Sequence, residues 1–174
     1  MTKKVNYFEA RRISPEVYSE FSLPRYIITR LPEDKNSTIL DFGCGYGQIV
    51  SAIHALGYNN VIGADIEQDA IDFLKKQGYK VENVSDLDLF VKKRANFFDM
   101  IIMSHVLEHL PKDYIIPFLE KIKLLLKKEG ILFVMVPNAQ SNTGAYWAYE
   151  DFTHHALFTS GSIYYVLKWQ DMTI

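Results

Sequence analysis

The chain has 174 residues, 48% of them hydrophobic, which supplies one ordinary globular core and not two. Its formal net charge of −2, with the signs interspersed, leaves no basic stripe to neutralise a phosphate backbone, so a small-molecule partner is expected and nucleic acid is not. Lys3 and Lys4 are followed by no apolar h-region, no apolar run reaches bilayer length, and the single cysteine, Cys44, can form no internal disulfide; together these read as cytoplasmic, with no membrane span.

In chain order, Ser14 and Pro15 have the form of a helix N-cap and first helical position, and Pro24 opens a second helical segment ending near Pro32. Residues 1–36 are therefore expected to be a helical cover packing on a core of residues 37–174. Within that core, short apolar runs predict strands at Thr38–Phe42, Asn60–Asp65, Tyr79–Val84, Phe98–Met103 and Ile131–Val136. Amphipathic stretches between and after them predict helices at Gln48–Leu56, Gln68–Gln77, Asp86–Arg94, Lys112–Lys128 and Ser160–Trp169, three of them followed by Gly57, Gly78 or Gly130 as stops. Pro117, inside the long helix, should kink or divide it. Strands without polar alternation, such as Ile131–Val136, need cover on both faces, and right-handed crossovers provide it. The expected fold class is α/β, a doubly wound, mostly parallel sheet of Rossmann-like type, with a loop rich in Asn, Ser and Gly at Pro137–Gly144.

The sharpest motif is Ile39-Leu40-Asp41-Phe42-Gly43-Cys44-Gly45-Tyr46-Gly47, where a predicted strand runs into glycines and then a helix. A second predicted strand ends at Asp65, about 20 residues on, the distance at which a carboxylate accepts hydrogen bonds from ribose hydroxyls. A dinucleotide site would carry its third glycine one residue later, where Gln48 stands, and Asp41 would repel phosphates. The same carboxylate suits the ammonium of a methionyl group, so the pattern points to a sulfonium nucleoside.

On these residues, with Gly63-Ala64-Asp65 as the second motif, the sequence resembles class I S-adenosylmethionine-dependent methyltransferases from about Thr38 to Leu167. The resemblance implies S-adenosylmethionine as cofactor and S-adenosylhomocysteine as product. By it Asp41, Gly43, Cys44 and Gly45 line the methionyl part, Asp65 and Ile66 hold ribose and adenine, and Ser85-Asp86-Leu87 cap the adenine, although an Asp at 86 is equally a helix N-cap. Such enzymes end their sheet with an antiparallel hairpin that this chain lacks. A C-terminal truncation, or an open sheet edge that would admit a homodimer, is therefore expected.

After the fourth strand comes Ser104-His105-Val106-Leu107-Glu108-His109-Leu110, at the strand end where open α/β sheets place their ligands; Ser104 and His105 are expected beside the cofactor. His105 and His109, four apart, would share a helical face with Glu108 beside them, which resembles the Glu-x-x-Glu-His cluster of a metal-dependent RNA 2'-O-methyltransferase family, with His154 or His155 as a further ligand. His105 replaces the first Glu of that cluster, and Glu-His-Leu at this position is common in metal-free enzymes of the class, so no metal is expected. The stretch Asp151-Phe152-Thr153-His154-His155, before Phe158-Thr159 and a helix, resembles methyltransferases that modify surface polysaccharides and sugars, implying a hydroxyl-bearing small molecule or sugar as acceptor. An alcohol loses its proton with difficulty near neutral pH, so a base is expected at His155, His154 or His109, oriented by Asp151. The same residues could equally tie down a loop. Two rival readings are a cofactor-binding scaffold without turnover and a nicotinamide-dependent oxidoreductase.

Overall fold

The computed structural model describes residues 6–18 and 21–169. Five strands, β1 (Ile39–Phe42), β2 (Val61–Asp65), β3 (Lys80–Asn83), β4 (Phe98–Ser104) and β5 (Leu126–Met135), form one parallel sheet in the order β3-β2-β1-β4-β5, flanked by helices, which is the expected α/β class. The chain divides into two compact units, Met1–Asp86 and Leu87–Ile174.

In the first unit β1 (Ile39–Phe42) pairs with β2 (Val61–Asp65), and β2 with β3 (Lys80–Asn83), at Ile39↔Val61 and Asp65↔Asn83 among others. Every residue of β1 and β2 is buried, as expected of strands covered on both faces. The β1–β2 and β2–β3 connections carry the helices named here α3 (Gln48–Ala55) and α4 (Gln68–Lys76). In α4 the apolar positions Ala70, Ile71 and Leu74 are buried while Lys75 and Lys76 lie in the last turn, where cations suit the carbonyl end. The segment before β1 departs from expectation. A short α1 (Tyr7–Ala10) starts at Asn6, whose side chain accepts from the Glu9 N–H at 2.7 Å, and the Ser14–Pro15 signal yields only one 3-10 turn, Pro15–Tyr18. Pro24 is an extended N-cap rather than the first helical residue of α2 (Arg25–Ile28), which stops short of Pro32.

Gly63 in β2 has a packing cause: a Cβ there would stand 2.8 Å from Cys44 Sγ and 3.3 Å from Val50 Cγ2. Gly63→Ala is expected to destabilise the protein by about 1–3 kcal/mol in chemical denaturation, with part regained in Gly63→Ala/Cys44→Ala. Parental stability in the single variant would refute the tight approach.

The second unit holds α5 (Leu87–Arg94), β4 (Phe98–Ser104), α6 (Lys112–Leu125), β5 (Leu126–Met135), α7 (Gly144–Glu150) and α8 (Ser160–Lys168). β4 is the core strand, with Phe98, Met100, Ile101, Ile102 and Met103 inaccessible. Three expectations are corrected. α6 ends at Leu125, and residues 126–128 join β5 because Leu126 pairs with Phe98 and Lys127 Nζ reaches both oxygens of Asp99 at 2.8 and 2.9 Å. The register then jumps from Phe98↔Leu126 to Met100↔Ile131, an irregularity holding the extra residues. α6 runs undivided through Pro117, which is exposed. β5 is only half-covered, Ile131 being 45% exposed, and among the described strands it ends the order and pairs with β4. α7 was not anticipated, whereas Thr159 caps α8 as expected, its side chain accepting from Ser162 N in a full capping box.

Candidate active site

In the first unit the loop after β1 is a series of main-chain tethers. Gly43 N and Cys44 N both donate to Ala64 O, at 2.8 and 3.1 Å, and Gly47 N donates to Cys44 O at 2.9 Å. Gly47 N-caps α3 at φ +82°, a conformation that strains an L side chain, and a Cβ on it would force the Leu74 side chain to move. The acid at the end of β2 closes the loop: Asp65 Oδ2 accepts from Gly45 N at 2.7 Å, and Oδ1 accepts from Glu67 N at 2.9 Å. A carboxylate oxygen has room for two donors, so each Asp65 oxygen retains capacity for a hydroxyl after its backbone bond is made. Ile66, next in sequence, is 63% exposed, an apolar side chain held beside that acid.

Asp41 is buried, and burial together with the neighbouring Asp65 charge pushes its carboxyl up to about 8. Cys44 is buried against the Gly63 position, and burial holds its thiol far above the ordinary range, so it offers a ligand only its main chain. Of the residues after β3, Ser85 N donates to Asn83 Oδ1 at 2.8 Å, and Asp86 is exposed. Asn83, missed in the sequence, also donates to Gln68 Oε1 at 3.3 Å and Ile66 O at 3.5 Å, tying the β3 end to the residue after Asp65. The ring of Phe8 lies 4.6 Å from that of Tyr46 and in van der Waals range of the Gly45 Cβ position, placing α1 against the glycine loop.

In the second unit the segment after β4 is strained and then buried. His105 adopts φ +58°, uncommon for a non-glycine residue, while its N–H donates to Met135 O at 2.9 Å. Its Nδ1 lies 3.0 Å from Oε1 of Glu108, a fully buried side chain in the 3-10 turn Leu107–His109. Among the described residues, Glu108 Oε2 is buried with no hydrogen-bond partner. The Glu108 carbonyl anchors the later loop, accepting from His155 N at 2.7 Å and Ala156 N at 3.2 Å.

That anchor gathers the distal residues. The His109 and His154 rings meet edge to face with centroids 4.7 Å apart. His154 Nδ1 lies 2.7 Å from the Trp147 carbonyl, which can only accept, so this nitrogen carries the proton. Thr153 donates its hydroxyl proton to Asp151 Oδ1 at 2.7 Å, so it must accept from His109 Nδ1, also at 2.7 Å. Burial holds the His109 imidazole below its ordinary value, against the opposing pull of Glu108. Asp151 thus reaches His109 through Thr153, while His155 contributes its main chain and is itself exposed. Thr153 belongs to the Asp151–His155 pattern but was given no role of its own there, and Trp147 was not singled out. Asp151-x-Thr153 is a local turn, with Thr153 N also donating to Asp151 Oδ1 at 3.0 Å, and such a spacing was the available signal.

Known proteins share this framework. A methyltransferase-domain family matches residues 18–171. Over 131 residues, 68% of this chain and 14% of the relative, the sequence is 28% identical to a small RNA 2'-O-methyltransferase of Arabidopsis thaliana. Over 91 residues, 51% of this chain and 31% of the relative, it is 31% identical to a ribosomal protein L11 methyltransferase of Shewanella frigidimarina. The chain thus spans less than a third of either relative's length. A SAM-dependent methyltransferase of Archaeoglobus fulgidus superposes with a TM-score of 0.76 at 25% identity, covering 94% of this chain and 72% of that one. No helix among the described residues is long and apolar enough to cross a membrane. The chain belongs to the Rossmann-like, S-adenosylmethionine-dependent methyltransferase family.

Proposed function

We propose that the protein transfers the methyl group of S-adenosylmethionine to a hydroxyl oxygen, by in-line displacement with S-adenosylhomocysteine as leaving group. The first unit would hold the cofactor: Asp65 the ribose, Ile66 the adenine and the Asp41–Gly45 loop the methionyl part. Displacement at a sulfonium needs collinear placement more than chemical assistance, so the cofactor half requires no acid or base. The acceptor half does, because an alcohol must lose its proton.

The observation that carries the oxygen acceptor is the convergence at Glu108, His109 and His154. Both imidazoles are fixed with the proton on Nδ1, by Thr153 and by the Trp147 carbonyl, so their Nε2 atoms are the lone-pair nitrogens. Two such nitrogens beside a buried carboxyl form a site for activating an oxygen. Asp151 and Thr153 are positioning residues here. The acceptor class that best suits this reading is a small hydroxylated molecule such as a sugar, in keeping with the Asp151–His155 pattern.

With radiolabelled cofactor and a panel of sugars, phenols, amines, peptides and RNA oligonucleotides, label is expected on oxygen. His154→Ala and His109→Ala are each expected to lower turnover by about 100-fold or more while S-adenosylhomocysteine affinity holds. Label appearing solely on nitrogen or carbon would reject the proposal.

A further inference from the structure

Phe8, the buried residue of α1, stands on the glycine loop: its Cζ and Cε1 lie 3.3 and 3.5 Å from the position a Gly45 Cβ would take. We propose that residues 6–13 form a latch over this loop, held shut through Phe8, which must withdraw before S-adenosylmethionine enters or S-adenosylhomocysteine leaves. The latch presupposes the methionyl placement proposed above for the Asp41–Gly45 loop, and it adds how exchange there is controlled.

The segment is built to detach as one piece. Among the described residues its main-chain bonds close within it: Ala10 N to Asn6 O and Arg11 N to Tyr7 O at 3.0 Å, Arg12 N to Glu9 O at 3.1 Å, and Ile13 N to Phe8 O at 2.9 Å. Lifting it away breaks none of these, so side-chain contacts set the cost of opening. The Phe8 ring lies 4.6 Å from that of Tyr46, which in turn meets Phe73 of α4 edge to face at 5.5 Å, and Asn6 Nδ2 donates to Asp69 Oδ2, also on α4. Asn6 serves twice, because its Oδ1 caps α1 by accepting from Glu9 N; one side chain both starts the helix and docks it. The bonds from Arg12 and Ile13 make a helix-ending reversal whose left-handed position, φ +54°, is Arg12. Glycine is the usual residue there, and an arginine makes the closed segment costlier to form. Gly45, by contrast, is held from below, its N–H donating to Asp65 Oδ2 at 2.7 Å. A ligand approaching the Gly45 main chain therefore meets the Phe8 ring, and the latch is the partner that yields. Closed alike over the empty and the filled site, it slows entry and exit by one factor and leaves affinity nearly unchanged.

Surface plasmon resonance with S-adenosylhomocysteine over the immobilised full chain gives both rate constants. In Phe8→Ala association and dissociation should each be about 10-fold faster, with affinity within threefold of the parent. Asn6→Ala, which removes no buried side chain, should quicken both by about 5-fold. Arg12→Gly, at an exposed position, should slow both by about 3-fold, the opposite sign. Hydrogen exchange of the ligand-free chain reads the latch without the cofactor: the Ala10–Ile13 amides should exchange faster in Phe8→Ala and Asn6→Ala and slower in Arg12→Gly, while β1 amides keep parental protection and so verify the fold. Both rate constants within twofold of the parent in Phe8→Ala and Asn6→Ala overturn the latch. Faster dissociation with unchanged association also overturns it, since Phe8 would then be a wall of the site and not a gate. A folded parent that does not bind S-adenosylhomocysteine is a separate result: it removes the methionyl placement itself, and the latch with it.

Discussion

Asp65→Ala is expected to weaken binding of S-adenosylhomocysteine by roughly 100-fold or more, measured by calorimetry on a variant whose melting is otherwise near parental. In the parent, Asp65 has two tasks. It fixes the loop by accepting from Gly45 N at 2.7 Å and secures the following turn by accepting from Glu67 N at 2.9 Å. It would then accept from two ribose hydroxyls. Hydrogen bonds to a charged group contribute about 1.5–3 kcal/mol each, and losing two, with looser loop tethering, gives the stated fall. Asp65→Asn should be intermediate, since it keeps one acceptor oxygen and places an amide donor against a backbone N–H. Affinity within threefold of the parent in Asp65→Ala would mean that the nucleoside is not held at this acid.

The second large effect is in pH. Burial and the Asp65 charge raise the Asp41 carboxyl from 3.8 to about 8 in the folded chain. Between those values the folded state holds a proton that the unfolded state has released. The resulting stability is complete below about pH 4 and is lost as pH rises through about 8. Asp41→Asn removes the titration, so the difference in melting temperature between variant and parent should shift in the variant's favour from pH 5 to pH 9. Cofactor binding runs the other way: an ammonium beside Asp41 favours its charged form, so the ligand should displace the proton. S-adenosylhomocysteine affinity is then expected to rise from pH 6 and level off near pH 8, with up to one proton released per ligand bound. Calorimetry in buffers of differing ionisation enthalpy counts that proton. No release at pH 7 in the parent, or the same release in Asp41→Asn, would remove Asp41 from contact with the ligand's charge.

The cluster at Glu108, His109 and His154 shows where legibility stops. His105, Glu108 and His109 lie within one short segment and were recognisable as chemistry-bearing, but helical spacing suggested that His105 and His109 shared a role. The segment is instead a 3-10 turn entered through a left-handed His105, which points His105 at Glu108 Oε1 and sets His109 to meet His154, 45 positions along. Pairing across such a separation is fixed by main-chain bonds from His155 and Ala156 to the Glu108 carbonyl, which no local pattern encodes.

The sequence alone determined the five strands, the glycine loop and the acid that follows it, because each depends on short-range chemistry: apolar runs of strand length, positions that exclude a Cβ, and a carboxylate at a fixed interval. Only the tertiary structure decided that Leu126 belongs to β5, that Asp151 serves His109 through Thr153, and that Glu108 is left with a buried oxygen unanswered. Those outcomes rest on which distant groups come together as the core closes, and packing and hydrogen-bond satisfaction there override local preference.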